Sequence, residues 1–415
     1  MRHVIVVGAG ASGIVAAISA AREGARVTLL EQKDRIGKKI LSTGNGRCNF
    51  TNTQMSSQYF RSDSPEIVST VLEQFGHKET IHFFEELGLI CKDRQGYIYP
   101  ITDQATTVLD VLRMECERLE IRILTEQKVD EIKKNGNKFI VHTAQNTLQG
   151  DAVILSTGGK AAPVLGSDGN GYHLAKKFGH HISPVVPALV QLRSAAPYFK
   201  QLAGIRTQAN VKVYINDEFV AADNGELQLT NYGISGIPVF QISRYAAKAL
   251  YEQKSVEVEI DFIPSMDEIQ FDTYMKNRLE TQPNRSAEQF LIGIFHKNLI
   301  QVFLKEVNIT SNKKIRELDR NAFMSLLHIC KHFRVKIHAT NGFEQAQICA
   351  GGVKTSEVNC YTLESLNVEG LFITGELLDV DGICGGYNLQ WAWATGYIAG
   401  QYAAKGKSNA SNRTT

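Results

Sequence analysis

The sequence predicts an α/β protein whose parallel-sheet domain is assembled from both ends of the chain. An antiparallel β domain and a small helical domain are inserted between them. Three observations carry this. The opening residues read strand, helix, strand, with His3 to Val7 and Arg26 to Glu31 flanking an Ala-rich stretch from Ile14 to Glu23. From about Ala188 the text becomes a succession of short strand-like runs with turn residues between them. From Gly370 to Gly400 it returns to a strand, a Gly-rich loop and a helix, the same kind of unit that opens the chain.

The elements follow in order. Ser64 to Leu87 reads as helical, with apolar positions at Ile67, Val71, Leu72 and Phe75. Thr106 to Leu119 is a further helix. Arg122 to Thr125, Lys128 to Ile132 and Lys138 to Thr143 read as strands, with Asn135-Gly136 as a hairpin turn. Ala152 to Ser156 is a buried-type strand. The inserted strands are expected at Leu189 to Leu192, Ala209 to Ile215, Glu218 to Ala221, Leu227 to Leu229 and Val256 to Phe262. Asn216-Asp217 and Asn224-Gly225 mark turns among them. Met266 to Lys331 turns helical and charged, broken at Pro283 and Ser311-Asn312, and Phe333 to Ile337 and Glu344 to Cys349 return to strand texture. The last residues, Lys405 to Thr415, are polar and expected to fray. The expected boundaries are 1–187 with 350–415 for the first domain, 188–263 with 333–349 for the β domain and 264–332 for the helical one.

Composition bounds the function. The 415 residues are 43% apolar and 21% charged, which excludes a disordered, collagenous or disulfide-scaffold chain. The net charge of +2 supplies no strong pull on nucleic acid or acidic membranes. Seven cysteines, at 48, 91, 116, 330, 349, 360 and 384, include no C-x-x-C pair, which argues for free thiols in a reducing, cytoplasmic setting. No ligand spacing supports a metal. Val4 to Ala21 is apolar but interrupted by Gly8, Gly10 and Gly13, so it reads as fold and not as a signal peptide, and no stretch offers the roughly 20 apolar residues of a membrane span. A protein without nucleic-acid or membrane partners, acting on a small molecule, is expected; the oligomeric state is unreadable.

The chemistry-bearing signal is Gly8-Ala9-Gly10-Ala11-Ser12-Gly13 between strand and helix. Gly8 suits a tight turn, Gly10 close approach of a pyrophosphate and Gly13 close helix–strand packing. The helix that follows offers free N–H groups and a positive dipole end. Glu31, followed by Gln32, stands 18 residues past Gly13, where a carboxylate accepts the hydroxyls of an adenosine ribose and repels a 2′-phosphate. FAD and NAD fit equally well so far. The next segment, Gly37 to Asn49, favours FAD: Gly37, Gly44 and Gly46 with Lys38, Lys39 and Arg47 make a cationic, backbone-rich loop suited to a longer cofactor. Thr157 and Gly158 end a strand that returns the chain to the same edge. Gly375-Glu376 ends another and aims a carboxylate at ribityl hydroxyls. Gly385-Gly386, before Tyr387, Asn388 and Leu389, brings a helix N-terminus to the flavin pyrimidine edge. Trp391 and Trp393 read as core.

The pairing of GKKILSTGNGRCNFTN (37–52) with GELLDVDGICGGYNLQWAW (375–393) resembles a family of bacterial flavoproteins. These are described as NAD(P)/FAD-dependent or aminoacetone-oxidase-family oxidoreductases, and are more distantly similar to the flavoprotein subunits of fumarate reductase and succinate dehydrogenase. GSDGNGYHLAKKFGH (166–180), LTNYGISGIPVF (229–240) and AQICAGGV (346–353) extend the resemblance over nearly the whole chain. It implies a discontinuous Rossmann-like FAD-binding domain with an inserted antiparallel β domain and a small helical domain. It implies FAD contacts at Gly8 to Gly13, Glu31, Lys38, Lys39, Gly46, Arg47, the Val129 backbone, Gly375, Glu376 and Tyr387 to Leu389. The loop 42–49 lacks the His that carries a covalent flavin in the fumarate reductase group, so non-covalent FAD is expected. The Arg and His set that grips a dicarboxylate there is also missing.

Hydride exchange at flavin N5 follows as the expected reaction. Arg47, Cys48 and Asn49 are the catalytic candidates, with Arg47 as a partner for a substrate anion or the flavin diphosphate and Cys48 as a redox thiol or a buried filler. Asp168 reads as a turn or cap residue, and Asp379 and Asp381 as proton-transfer groups or turn stabilisers. No second glycine fingerprint is visible, so NADH or NADPH would visit the flavin transiently. Three function classes stay open: an oxidoreductase that oxidises an amine or reduces a conjugated double bond, a flavin enzyme of RNA modification, and a flavin-binding protein without turnover.

Overall fold

The computed structural model describes residues 1–406, so most of the polar tail expected at 405–415 lies outside the described residues. The chain divides into two compact units: Met1–Val185 together with the chain from Gln347 onward, and Val186–Ala346. The first unit therefore draws on both ends of the sequence, leaving at 185 and re-entering at 347.

Its centre is a five-stranded sheet. We label its strands β1 (His3–Val7), β2 (Arg26–Leu30), β3 (Arg122–Leu124), β4 (Ala152–Leu155) and β5 (Leu371–Ile373), with helices α1 (Ala11–Arg22) and α2 (Tyr387–Lys405). The order is β5-β4-β1-β2-β3, and every pairing is parallel. Such a sheet is covered on both faces, which is why β1 and β4 are continuous apolar runs: Val4, Ile5, Val6 and all four residues of β4 are fully buried.

The C-terminal helix lies directly on the N-terminal one. Gly396 and Gly400 sit one turn apart on α2, and a Cβ on either would collide with the carbonyl oxygens of Ser12 and Ala16 on α1. The facing positions of α1 are equally small, and Ser19 Oγ donates to the Tyr397 carbonyl at 2.7 Å. The indoles anchor the other side of α2. Trp391 Nε1 donates to the Gly375 carbonyl (3.1 Å) and Trp393 Nε1 to that of Phe50 (2.9 Å), both from the core.

Besides the antiparallel pair Phe60–Ser62 with Val380–Gly382, this unit holds two three-stranded antiparallel sheets. Val129–Asn135, Lys138–Thr143 and Thr147–Gly150 form one, with the first hairpin turning at residues 136 and 137, one residue beyond the expected pair. Thr51–Asn52, Cys91–Arg94 and Tyr97–Pro100 form the other, which the sequence reading did not anticipate. The helical stretch 64–87 is two helices, Pro65–Gln74 and His77–Glu86. The Glu79 carboxylate accepts from the Gly76 N–H at 2.9 Å, and this cap starts the second helix where the first has ended.

The second unit is a seven-stranded antiparallel sheet with its helices on one shared core. Its strands run in the order Phe333–Ile337, Val256–Asp261, Arg206–Ile215, Glu218–Thr230, Gly233–Gly236, Leu192–Arg193 and Ala339–Thr340. The turn at Asn216-Asp217 is where the sequence puts it. Asn224-Gly225 is not a turn. These residues pair with Asn210 and Ala209 inside one long strand, and Pro238 packs 3.2 Å from where a Gly225 Cβ would stand, so the glycine serves close packing. The helix Ile237–Tyr251 was not anticipated. Helices Glu268–Thr281, Ala287–Leu291, Lys297–Glu306 and Arg320–Lys331 share one apolar cluster with the sheet, through Phe271, Phe290, Phe303 and Leu326 against Val258 and Val335. Among the described residues no helix is long and apolar enough to cross a membrane.

The helix contact gives a direct test. Gly400→Val forces α2 off α1, an overpacking cost of about 3 kcal/mol. Thermal unfolding should show a Tm lowered by roughly 6–10 °C. An unchanged Tm would mean that the helices do not pack through this glycine.

Candidate functional site

The fingerprint sits between β1 and α1 as its glycines require. Gly8 takes φ +97°, and a Cβ there would stand 2.6 Å from the Ser156 carbonyl of the neighbouring strand end. A Cβ on Gly13 would collide with the Gly8 carbonyl, so α1 runs close against the turn. A Cβ on Gly10 would meet nothing within 4 Å. Gly10 is also the N-cap, and no side chain caps the helix. The space beside Gly10 is open, and behind it the first turn of α1, with Ser12 and Gly13 themselves buried, carries N–H groups that no side chain caps and a positive dipole end.

Glu31 follows β2 and is 8% exposed. Its Oε2 accepts from the Ala9 N–H (3.0 Å) and its Oε1 from the Lys33 N–H (2.8 Å). Burial raises the pKa of this carboxyl, and the main-chain donors oppose the shift. Two donors leave acceptor sites for a vicinal diol. The loop 166–171 comes alongside: Gln32 donates to the Gly166 carbonyl, and a Gly166 Cβ would lie 3.6 Å from Glu31 Oε1. Asp168 accepts from the Asn170 N–H at 3.0 Å and pairs with Lys128 at 2.8 Å, the cap role the sequence suggests. Asn170 Nδ2 donates to the Val129 carbonyl at 2.8 Å, so part of that backbone's acceptor capacity is already used.

The cationic loop is tied to the fingerprint by the Gly37 N–H, which donates to the Ala9 carbonyl at 2.8 Å. Lys38 pairs with Asp34 on its own loop. Lys39 Nζ pairs with Glu376 Oε2 at 2.9 Å, while Glu376 Oε1 accepts from the Cys349 N–H at 2.7 Å. Gly44 and Gly46 lie exposed in the turn before Arg47, which is exposed too. Cys48 is fully buried, and burial pushes its thiol up to about 12. It is a packed, neutral thiol, so the geometry favours the filler reading over redox chemistry. The Asn49 amide nitrogen donates to the carbonyls of Ile98 (3.1 Å) and Thr51 (2.9 Å), which makes it a brace for this loop.

The C-terminal motif meets the fingerprint. A Cβ on Gly375 would stand 2.7 Å from Ser12 Oγ, and the Gly375 N–H donates to Thr395 Oγ1 at 2.9 Å. Thr157 and Gly158 end β4 beside it. A Gly158 Cβ would be 2.9 Å from Ser167 Oγ, and Gly171 packs against Thr157 Oγ1. Gly386 caps α2 without a side chain, leaving a second uncapped helix N-terminus. The side chains of the next residues do not face that opening. Tyr387 is 4% exposed, packs on the rings of Tyr59 and Phe60, and donates to the Gln54 carbonyl at 3.3 Å. Asn388 Oδ1 accepts from the Gly382 N–H (2.8 Å), and its Nδ2 donates to the Gly382 carbonyl (2.9 Å). Tyr387, Asn388 and Leu389 therefore present main-chain N–H groups to any ligand. One residue escaped the sequence reading. The Tyr172 hydroxyl is buried without a hydrogen bond, and a Cβ on Gly159 would lie 3.1 Å from it and 3.0 Å from Glu376 Oε1. Its only sequence signal is its place in the 166–180 block.

A model of the HI0933-like protein Rossmann domain matches residues 2–402. The chain belongs to that family. A 3-dehydro-bile acid delta(4,6)-reductase from Clostridium scindens is 50% identical over 407 residues, covering 98% of this chain and 100% of the relative. A ribosomal RNA dihydrouridine synthase from Escherichia coli is 30% identical over 413 residues, covering 98% of each. Among solved structures, a 3-ketosteroid delta1-dehydrogenase from Sterolibacterium denitrificans, in complex with 1,4-androstadiene-3,17-dione, aligns at TM-score 0.51 with 12% identity, covering 97% of this chain and 100% of that one; it speaks for the fold alone. The protein is an FAD-dependent oxidoreductase. Its residues fit the cofactor: the space before Gly10 admits phosphates, Glu31 keeps free acceptor capacity, and two helix N-termini stand uncapped.

Glu31→Ala should weaken FAD retention by about 10–100-fold, the range of hydrogen bonds to a charged group. Because burial raises its pKa, acidification neutralises this acceptor sooner than an exposed glutamate. Retention should fall as pH drops, and the alanine variant should lose that acid-side dependence. Equilibrium dialysis of bound flavin across pH checks both. Cys48 should stay unmodified by iodoacetamide in the native state at mildly alkaline pH, read by peptide mass spectrometry; prompt alkylation would place it at the surface.

Proposed function

We propose that this protein is an ene-reductase: it reduces a carbon–carbon double bond conjugated to a ring ketone in a steroid-like acid, with FAD bound non-covalently and NADH or NADPH as transient donor. The observation that carries this reading is the 50% identity to the bile acid delta(4,6)-reductase over the full length of both chains. The Escherichia coli relative supports the same bond chemistry, since dihydrouridine is uridine hydrogenated across a ring double bond next to a carbonyl. Of the two chemistries open in the sequence, double-bond reduction therefore takes precedence over amine oxidation.

The roles of the residues follow from the geometry. FAD supplies hydride exchange at N5 when bound. Glu31 accepts the ribose hydroxyls, and the first turn of α1, with Gly10 leaving the approach clear, offers N–H groups to the diphosphate. Glu376, held by Lys39 and the Cys349 N–H, would be the carboxylate to accept from ribityl hydroxyls. The N-terminus of α2 supplies main-chain donors and a positive dipole end, which stabilise negative charge at the pyrimidine edge. Thiol relays are unsupported, because burial pushes both Cys48 and Cys349 up to about 12.

The second reading, RNA modification, rests on the 30% relative. A net charge of +2 gives it little electrostatic support. Anaerobic stopped-flow mixing separates the two. NADH or NADPH should bleach the flavin, and a 3-oxo-4-ene bile acid should restore its colour within seconds as the enone absorbance disappears. Reoxidation by an unmodified ribosomal RNA fragment and not by the enone would reverse the order of the two readings.

A further inference from the structure

We infer that the outer face of the hairpin Cys91–Arg94/Tyr97–Pro100 is a substrate ledge, on which Tyr97 and Tyr99 seat the rings of a polycyclic ketone while Arg47 holds its carboxylate. The inference deepens the ene-reductase reading and rests on it for the identity of the rings.

The ladder places four side chains together. Lys92 pairs with Tyr99 and Arg94 with Tyr97, so all four project from one face, while Ile98 and Pro100 are buried on the other. Tyr97 is 43% exposed, and its ring lies 2.8 Å from where a Gly385 Cβ would stand. The Tyr99 ring lies 3.7 Å from the corresponding point on Gly44. The two tyrosines thus run from one glycine loop of the flavin site to the other. A ring system laid on them would border both loops.

One end of this aromatic strip is cationic. The Arg47 and Arg94 guanidiniums lie 5.8 and 5.5 Å from the Tyr99 ring centre. Asp103 Oδ2 takes both Lys92 and Arg94, the latter at 2.6 Å. Arg47 is left with one long bond, from Nε to the Gly44 carbonyl at 3.4 Å, and among the described residues no carboxylate lies within ion-pairing distance of it. Three cations against one carboxylate leave this face positive. An exposed planar guanidinium at the end of an aromatic surface fits a carboxylate in bidentate fashion, with the rings behind it against tyrosine. The ledge therefore selects an amphipathic ring acid over a neutral ring of the same shape.

The test uses the FAD-loaded protein and a matched pair of probes, a 3-oxo-4-ene bile acid and its methyl ester, titrated by their perturbation of the flavin spectrum. Wild type should bind the acid about tenfold tighter than the ester, the scale of one charge-assisted pair. Arg47→Gln, titrated at saturating FAD, should abolish that preference. Tyr99→Leu should weaken acid and ester alike. Equal binding of the two probes by wild type, or an acid preference that survives in Arg47→Gln, overturns the ledge. An acid bound selectively through Arg47 yet never reduced leaves the ledge standing and removes the ene-reductase reading. Arg47-dependent binding of an RNA oligonucleotide by a protein that ignores both probes overturns the ledge as drawn.

Discussion

Two helices from opposite ends of the chain touch through main chain. α1 and α2 approach so closely at Gly396 and Gly400 that any side chain there would strike the carbonyls of Ser12 and Ala16. Much of the site depends on this contact. It fixes the C-terminal strand end at Gly375 against Ser12 and so brings Glu376 within reach of Lys39. The chain departs this unit at 185, re-enters it at 347 and adds Leu371–Ile373 to the same sheet.

The same contact explains why the site is mostly backbone. Both helix N-termini are capped by glycine with no side chain bonded across them. The residues that open α2 have turned their side chains to other work: Tyr387 into an aromatic cluster, Asn388 into a clamp on residues 382 and 383. What remains at the openings is N–H groups and helix dipoles, which hold an anion without the entropy cost of ordering long side chains. Glu31 is the exception, a buried carboxylate kept in place by two main-chain donors.

The parallel sheet, its helices and the glycine turns between them were legible in the sequence because each leaves a local signal. β1 and β4 are apolar runs, and glycines stand where Cβ atoms would collide. What was not legible depended on distant contacts. Asn224-Gly225 carries a turn signal, yet Gly225 is there to admit Pro238, 13 residues later. The helix 237–251 follows a strand and carries Pro238 in its first turn, which reads locally as a break although proline suits that position. The hairpin 91–100 is polar on its outer face and short, so its alternation was lost in the surrounding text. Tyr172 shows its significance only in three dimensions, as a buried hydroxyl without a partner.

The relatives differ in the size of what they act on, from a bile acid to ribosomal RNA, but their names describe reductions of closely related bonds. One kind of electron source with differing approaches fits both names. The backbone cradle is indifferent to the substrate, because none of its N–H groups depends on what lies across the flavin. Discrimination must then come from side chains that border the loops without building them. On the proposed ledge Tyr97, Tyr99 and the exposed side chain of Arg47 take that part. They project from a hairpin and a loop whose own framework is held by Asn49, Thr51 and Ile98, so they are free to differ while the cradle beneath them stays fixed. On that proposal substrate choice and electron transfer fall to separate layers of one unit.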